Sequence, residues 1–361
     1  MIQKKSLLYL AICSKKNAPG VYKKIVGFVK GAEENGFICQ HIILEPNSIT
    51  IYFEFIRYLL TSKQEYIIIR YLSKIGIIIF LLGLILKFKN QKLLIDVPTP
   101  MKNHVRELLN SKENVFSNLL NMILIYLQGP IPFLSAKGII QYANESKWFS
   151  IGNLRKQIIV GNGISVKSIT MRESIPEWPS KQLNLIAVGT VAFWHGWDRI
   201  IKAIKIIESE NNREFTVNFT IVGEGPEIKN LKSIVNLLGL DQRVKFTGML
   251  QGYNLDREYE QAHLGIGSLG WYRIGVNEAS PLKVREYLSV GLPVIYAAED
   301  PDFSESSDIA IRISNDSDIE SIVALFFRLR FNHIPSSLHC RQFAENNLDY
   351  KNKLKLILSQ F

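Results

Sequence analysis

Strand-like apolar runs alternate with helical stretches along most of this chain, and that alternation limits its fold more than any other feature. Parallel strands need a crossover between them, so strand–helix–strand repetition predicts parallel sheets built from βαβ units. In the first half, Ser6–Ile12, Phe37–Leu44, Tyr66–Arg70, Leu93–Val97 and Ile158–Val160 read as strands. A polar loop through Gly20 leads to a helix from about Val21 to Asn35, stopped by Gly36. Residues 161–182 break the rhythm, with turn chemistry at Gly161-Asn162-Gly163 and a polar stretch holding Pro176, Trp178 and Pro179. A second series then begins, with strands at Leu183–Val188, Phe215–Val222, Val244–Thr247, Leu264–Ser268 and Pro293–Ala297. Its helices are expected at about Trp197–Glu208, Pro226–Leu238 and Pro281–Ser289.

The expected fold class is therefore α/β, with two Rossmann-like doubly wound domains facing a cleft. A length of 361 residues suits two such domains. The boundaries predicted are 1–165 for the first domain, 166–182 for a linker, 183–335 for the second domain, and 336–361 for a helical tail packing back on the first. In open α/β sheets ligands sit beyond the carboxyl ends of the strands, so the loops that follow strands carry the chemistry.

Charge is spread unevenly. Residues 1–160 hold 21 Lys and Arg against 9 Asp and Glu, whereas the remainder holds 22 against 24. A basic half calls for an anionic partner, such as lipid headgroups, a pyrophosphate-linked acceptor or nucleic acid, or else is a solvated face. The charge is not interleaved with aromatics as a stripe, which disfavours nucleic acid. Cys13, Cys39 and Cys340 are odd in number and widely spaced, with no CxxC pair, which fits a reducing cytoplasm. Lys4-Lys5 before Ser6–Cys13 has the outline of a short lipoprotein signal, but a bulky Ile precedes the cysteine, and a buried first strand is the favoured reading. The unbroken apolar run Ile75–Leu86, flanked by Lys74, Lys87 and Lys89, has 12 residues against the about 20 a bilayer span needs. It reads as a buried crossover helix, with an interfacial membrane helix as the other reading.

The segment Glu278–Glu286 places an acid in a loop, a helix start at Pro281 and a second acid on the helix. Proline is favoured at the first helical position and moves Ser280 out of the α region, which suits serine as the N-cap. The amides of Leu282 and Lys283 are then free of intrahelical partners, the helix dipole adds partial positive charge, and Lys283 adds a full one. That is an anion site flanked by Glu278 and Glu286, each able to accept two vicinal sugar hydroxyls.

Glu278–Val294 resembles the E-x7-E region of family 4 glycosyltransferases, which have the GT-B fold. Other blocks agree in order and spacing: Ala187-Val188-Gly189 with His195-Gly196-Trp197-Asp198-Arg199, Val222-Gly223-Glu224-Gly225-Pro226, Val244–Gly248, and Asn162-Gly163-Ile164. The resemblance covers about residues 160–300 well and the first half loosely. It implies that Glu278 contacts the donor sugar, Glu286 the nucleotide ribose, and amides around Ser280, Pro281 and Leu282 the diphosphate. It also implies that Gly223 and Gly225 shape the turn near the nucleotide, and that Gly248 lets backbone approach the base. Many members grip the diphosphate with an Arg and a Lys whose positions here are Thr190 and His195. Histidine is a weaker, pH-dependent cation, so Lys283, Arg273 or Arg199 is expected to supply the charge. The stretch His195–Arg199 resembles a branch associated with bacterial surface polysaccharides.

In the first half, Asp96-Val97-Pro98-Thr99-Pro100 follows a strand, so Asp96 is a candidate to orient an acceptor hydroxyl, with Thr99 and His104 nearby and Gly20 facing the same cleft. The resemblance implies a hexosyltransferase-type enzyme. It would move a sugar from a nucleotide-diphosphate sugar, its co-substrate, to a glycan or polyprenyl-pyrophosphate-linked acceptor. Transfer with retention, no metal or other cofactor, and a role in capsule, O-antigen or exopolysaccharide synthesis are implied with it, at the inner face of the plasma membrane. A sugar-nucleotide epimerase of the same architecture and a basic nucleic-acid-binding protein are the alternatives.

Overall fold

The computed structural model describes residues 5–16, 19–110, 115–144, 147–150, 156–173, 176, 181–210, 215–303, 307–330 and 335–361. Trp178 and Pro179 of the expected linker lie outside them. The chain divides into two units, Met1–Ser165 with Leu348–Phe361, and Val166–Asn347. The first runs β1 (Ser6–Ile12), α1 (Pro19–Glu34), β2 (Ile38–Leu44), α2 (Thr50–Thr61), β3 (Tyr66–Arg70), α3 (Gly76–Phe88) and β4 (Lys92–Val97). It continues through α4 (Met101–Asn110), α5 (Val115–Gln128), β5 (Gly138–Gln141), the short α6 (Lys147–Ser150) and β6 (Lys156–Ile159). The second unit runs β7 (Gln182–Val188), α7 (Asp198–Glu210), β8 (Thr216–Val222), α8 (Ile228–Leu238), β9 (Val244–Gly248), α9 (Tyr253–Gln261) and β10 (Leu264–Ile266). After these come α10 (Leu282–Val290), β11 (Val294–Tyr296), β12 (Ala310–Arg312), α11 (Glu320–Leu329) and α12 (Ser337–Phe343). Finally α13 (Tyr350–Leu358) belongs to the first unit again.

Each unit holds one parallel six-stranded sheet, ordered β2-β1-β3-β4-β5-β6 and β12-β11-β10-β7-β8-β9. Strands covered on both faces read as continuous apolar runs. In β1, Leu8 and Leu10 face α2 and α3, while Leu7, Tyr9 and Ala11 face α1 and α13. Ser6–Ile12 is thus an inner strand paired to both β2 and β3, which accounts for its signal-like hydrophobicity.

The tail divides differently from expectation. Only residues from Leu348 onward join the first unit; α12 stays in the second and packs on α10. Tyr350 fixes α13 against α1, where a Cβ on Gly31 would stand 2.8 Å from the Tyr350 backbone. The start of the expected linker is also part of the second unit. Arg172 donates to Ala262 O at 2.6 Å and to Ser337 Oγ at 2.8 Å.

The run Ile75–Leu86 is helical, as α3, but only one side of it is buried. Ile79, Leu82, Gly83 and Leu86 meet the sheet, while Ile77, Ile78, Leu81, Leu84, Ile85 and Phe88 are exposed. Among the described residues no helix is long and apolar enough to cross a membrane.

Candidate active site

In the second sheet the chain builds β7, β8 and β9 toward one edge, then returns to place β10, β11 and β12 on the other side of β7. The loops after β7 and β10 therefore diverge at a topological switch point, the place where such sheets hold ligands. Tyr287 of α10 closes the gap between the two strands, accepting from Val188 N at 2.8 Å and donating to Ile266 O at 3.3 Å. Beyond the strand ends the two loops are locked together. Leu269 N bonds His195 O at 2.8 Å, and Trp197 Nε1 bonds Gly267 O at 2.9 Å. Gly196 lies at φ +62°, and a Cβ there would be 2.5 Å from Gly270 N, so only glycine fits the crossing.

The start of α10 points at these loops. Glu278 pairs in a parallel bridge with Glu299, through Glu299 N to Asn277 O at 2.7 Å and Ala279 N to Glu299 O at 2.9 Å. This bridge draws the chain out in extended form, so the cap falls one residue later than the sequence suggested. Pro281 is the N-cap at ψ 136°, the helix begins at Leu282, and no side chain caps it. Ser280 is instead buried beside the start. The first-turn amides of Leu282 and Lys283 have no carbonyl one turn back to bond, and no capping side chain takes them up.

Lys283 is the cation at this helix start. Its Nζ is 3.1 Å from His195 Nε2 and 4.7 Å from the centre of the Trp197 ring, on which His195 itself stacks at 4.7 Å. Gly189, at φ +135°, leaves the space in front of it open, since a Cβ there would stand 3.5 Å from Nζ. The Ala192 amide donates to His195 Nδ1 at 3.3 Å, which leaves the ring proton of a neutral imidazole on Nε2, facing the lysine. The two nitrogens then form a hydrogen bond only when Lys283 is a neutral amine and accepts. Burial, with Glu286 opposing it, lowers Lys283 to about 7. Burial and the lysine charge lower His195 to about 2. His195 is thus a neutral partner that positions Lys283, in place of the weak cation expected from sequence.

The other two arginines expected to help are differently occupied. Arg199 is interior, donating to Leu269 O at 2.7 Å, Ser314 O at 3.3 Å and Asp318 O at 2.5 Å, so it ties loops together. Arg273 bonds Asp198 at 2.8 Å and Phe193 O at 3.0 Å, and so braces the turn that carries His195.

Glu286, one turn into α10, is partly exposed and accepts from the buried Tyr259 hydroxyl at 3.4 Å. Between the two glutamates, Arg285 is wholly buried and makes an ion pair with Asp300, reaching Asp302 at 2.6 Å. Both aspartates follow β11 in the loop whose Glu299 braces Glu278, so Arg285 holds both acids in register. Arg285→Ala would leave Asp300 charged and unpaired in the interior, costing about 3–5 kcal/mol. The expected result is a large drop in the urea midpoint with an unchanged slope. A midpoint within error of wild type would show that the pair carries no stability.

Gly223 and Gly225 shape the loop after β8 by close packing. Gly223, at φ +134°, abuts Gly189 O, and Gly225 abuts Val191 O, so side chains at either would push that loop away. Gly223 N also bonds Gly248 O at 2.8 Å, placing the ends of β8 and β9 beside the same loop.

The residues singled out in the first unit do not form one group. Asp96 is fully buried on the α1 side of β4, where the Tyr9 hydroxyl donates to its carboxylate. Lys24 of α1 lies 3.4 Å over the Tyr142 ring in the same cluster. Asp96, proposed from sequence to orient an acceptor hydroxyl, is thus an interior residue tied to β1 through Tyr9. Thr99 is half-buried in the turn after β4, and His104 is exposed on α4, which packs on the other face. Gly20 lies in the first turn of α1 rather than in a loop, and a side chain there would meet nothing. Sequence reasoning passed over Gly189, Trp197 and Tyr259 as site residues. The only signal for the first two was their place in the blocks around the loop after β7.

Residues 182–323 match the family described as Glycosyl transferases group 1. Curated protein sequences give no match. Among solved structures, the lipopolysaccharide outer core galactosyltransferase WaaB in its apo form is similar with a TM-score of 0.66 and 13% identity, over 99% of this chain and 100% of that one. WaaG, a glycosyltransferase involved in lipopolysaccharide biosynthesis, is similar with a TM-score of 0.54 and 14% identity, over 96% and 95% of the two chains. A trehalose-6-phosphate synthase, studied for glycosyl transfer with retention, follows at a TM-score of 0.59 and 10% identity, over 98% of both. The fold is that of the GT-B glycosyltransferases. The match to the group 1 glycosyl transferases lies in the second unit, which holds the switch-point site.

Proposed function

We propose that the protein is a glycosyltransferase that moves a sugar from a nucleotide-diphosphate sugar to a glycan or lipid-linked glycan acceptor. In this reading transfer occurs with retention, in assembly of a bacterial surface polysaccharide, by a peripheral protein at the cytoplasmic face of a membrane. The observation that carries it is the uncapped start of α10, with Lys283 held over Gly189 at the switch point of a group 1 domain.

The chemistry follows from the arrangement. As the bond between the anomeric carbon and the diphosphate breaks, negative charge grows on the leaving phosphate. First-turn amides and the Lys283 ammonium are already oriented toward that position, so stabilising it needs no reorganisation at the moment of reaction. Lys283 sits against His195 as an amine and takes up a proton as the diphosphate arrives. Glu278 holds the transferred sugar through hydroxyls, and Glu286 holds the ribose. The acceptor hydroxyl attacks from the face the diphosphate leaves and passes its proton to the departing phosphate oxygen, and no carboxylate nucleophile or cofactor enters the step.

A panel of UDP-, GDP- and ADP-sugars in thermal unfolding tests the reading. The correct donor at about 100 times its Kd adds about 2.7 kcal/mol, a rise of several degrees. No stabilisation by any nucleotide sugar would end the donor assignment. Proton NMR of the product tests retention, and an inverted linkage would exclude it. Donor turnover without any acceptor would favour an epimerase.

A further inference from the structure

We propose that the α3–α5 flank of the first unit is a membrane-docking surface and that the lysine-lined pocket at its end takes the phosphate headgroup of an anionic lipid. The proposal deepens the peripheral-membrane part of the proposed function by naming the surface and the lipid chemistry it recognises.

Three observations carry it. The first is apolar exposure. Besides the open side of α3, helix α5 buries Ile125 but exposes Phe116, Leu119, Leu120, Ile123, Tyr126 and Leu127, with Phe116 at 82% and Leu127 at 70%. Phe88, at the end of α3, is 91% exposed. Helix α5 has no charged residue at all. The helices adjoin where the last residue of α5 meets the start of α3, the Gln128 side chain bonding Lys74 O at 3.1 Å and receiving Ile77 N at 3.4 Å. Soluble monomers rarely leave so much apolar surface on two adjoining helices without a partner for it.

The second observation is the sign of the charge around it. No acidic residue occurs from Lys74 to Lys92 or from Val115 to Lys137. Two copies of this chain meeting through the flank would set lysines against lysines. An anionic bilayer complements both the apolar centre and the basic ends, since interfacial helices bury an apolar face about 5–10 Å deep while lysines meet headgroups.

The third is a pocket of about 400 Å³ where α3 ends, lined by Lys87, Lys92, Lys137 and Lys156 together with Asn90 and Gln91. It lies at the amino edge of the sheet, where β4 and β6 begin and Lys137 precedes β5, so it is distinct from any site at the strands' carboxyl ends. Lys92 is engaged by Glu65 at 3.1 Å and Lys156 by Gln360 O at 2.9 Å. Lys87 and Lys137 are exposed and have no acidic partner among the described residues. Two free ammonium groups, two amides and an adjoining apolar helix are the recognition elements for a phosphate carrying acyl chains.

Flotation of the full-length protein with vesicles tests this. Phosphatidylcholine vesicles alone are compared with vesicles containing phosphatidylglycerol, at low and at high salt. Wild type is expected to float with the anionic vesicles at low salt. Lys87→Glu and Lys137→Glu are expected to weaken binding by roughly fivefold or more each. Leu120→Ser with Leu127→Ser, on the exposed side of α5, is expected to abolish it. Glycerol phosphate at millimolar concentration should not release the protein, because it lacks the chains; release by glycerol phosphate alone would reduce the site to a free-phosphate site. Wild type left at the bottom with anionic vesicles at low salt would overturn the proposal, as would equal flotation of the lysine variants or a stable dimer in light scattering that needs the α5 leucines. Donor stabilisation is measured on the same proteins. Its persistence in variants that no longer float separates failure of this surface from failure of the transferase reading.

Discussion

Lys283→Met is expected to lower kcat/KM for the nucleotide sugar by about 100- to 1000-fold at pH 7, the usual scale for removing one preorganised group facing developing negative charge. The size follows from scarcity. Arg199 is spent on carbonyls, Arg273 on Asp198 and a carbonyl, and His195 is neutral, which leaves Lys283 as the cation at the helix start. The pH profile carries the sharper signature. Lys283 titrates near 7 in the free protein because it is buried, with Glu286 opposing the shift and His195 adding no charge. A bound diphosphate raises that value, so donor binding takes up a proton between the two. Affinity is full below about 7 and falls as pH rises toward the pKa of the complex, at most tenfold per unit. Lys283→Met should be flat across this window. Moving the cation back, as His195→Lys with Lys283→Met, should recover much of the loss, because the two side-chain tips are 3.1 Å apart in the native protein. Near-normal kcat/KM in Lys283→Met, or a wild-type affinity independent of pH from 6 to about 9, would remove the lysine from the site.

Glu286→Ala is expected to lower kcat/KM by about 10- to 150-fold, from the about 1.5–3 kcal/mol of a hydrogen bond to a charged group. The fold should survive, since the carboxylate is partly exposed and its bond to Tyr259 is long at 3.4 Å. Tyr259→Phe should cost far less, because it removes one weak support and leaves the acid in place. A second readout separates a binding role from a structural one. Glu286 favours the charged form of Lys283, so its removal should shift the lysine's titration to lower pH. Unaltered kinetics together with an unaltered pH profile would show that Glu286 is only a solvated helix residue.

Much of the framework was readable before any coordinates. Strands covered on both faces are apolar throughout, so Ser6–Ile12 and Tyr66–Arg70 were placed to the residue, and Gln182–Val188 to within one. The short strands Gly138–Gln141 and Ala310–Arg312 were not, because four or three residues carry no period. Helix α5 escaped notice for a related reason. Its apolar residues run nearly all round and therefore define no buried face.

The sequence by itself determined the parallel α/β architecture, the spacing of Glu278 and Glu286, and a helix start between them, because these rest on local hydrophobic pattern and on the backbone chemistry of proline. Only the tertiary structure decided what those residues meet. The order β12-β11-β10-β7-β8-β9 brings His195 against Lys283 across 88 positions, and Asp300 against Arg285 inside the core. Burial and charge partners set whether an ionisable group is charged, and both come from residues distant in the chain. Asp96 became an interior residue and His195 a neutral one for that reason, and Lys283 was left as the cation facing the site.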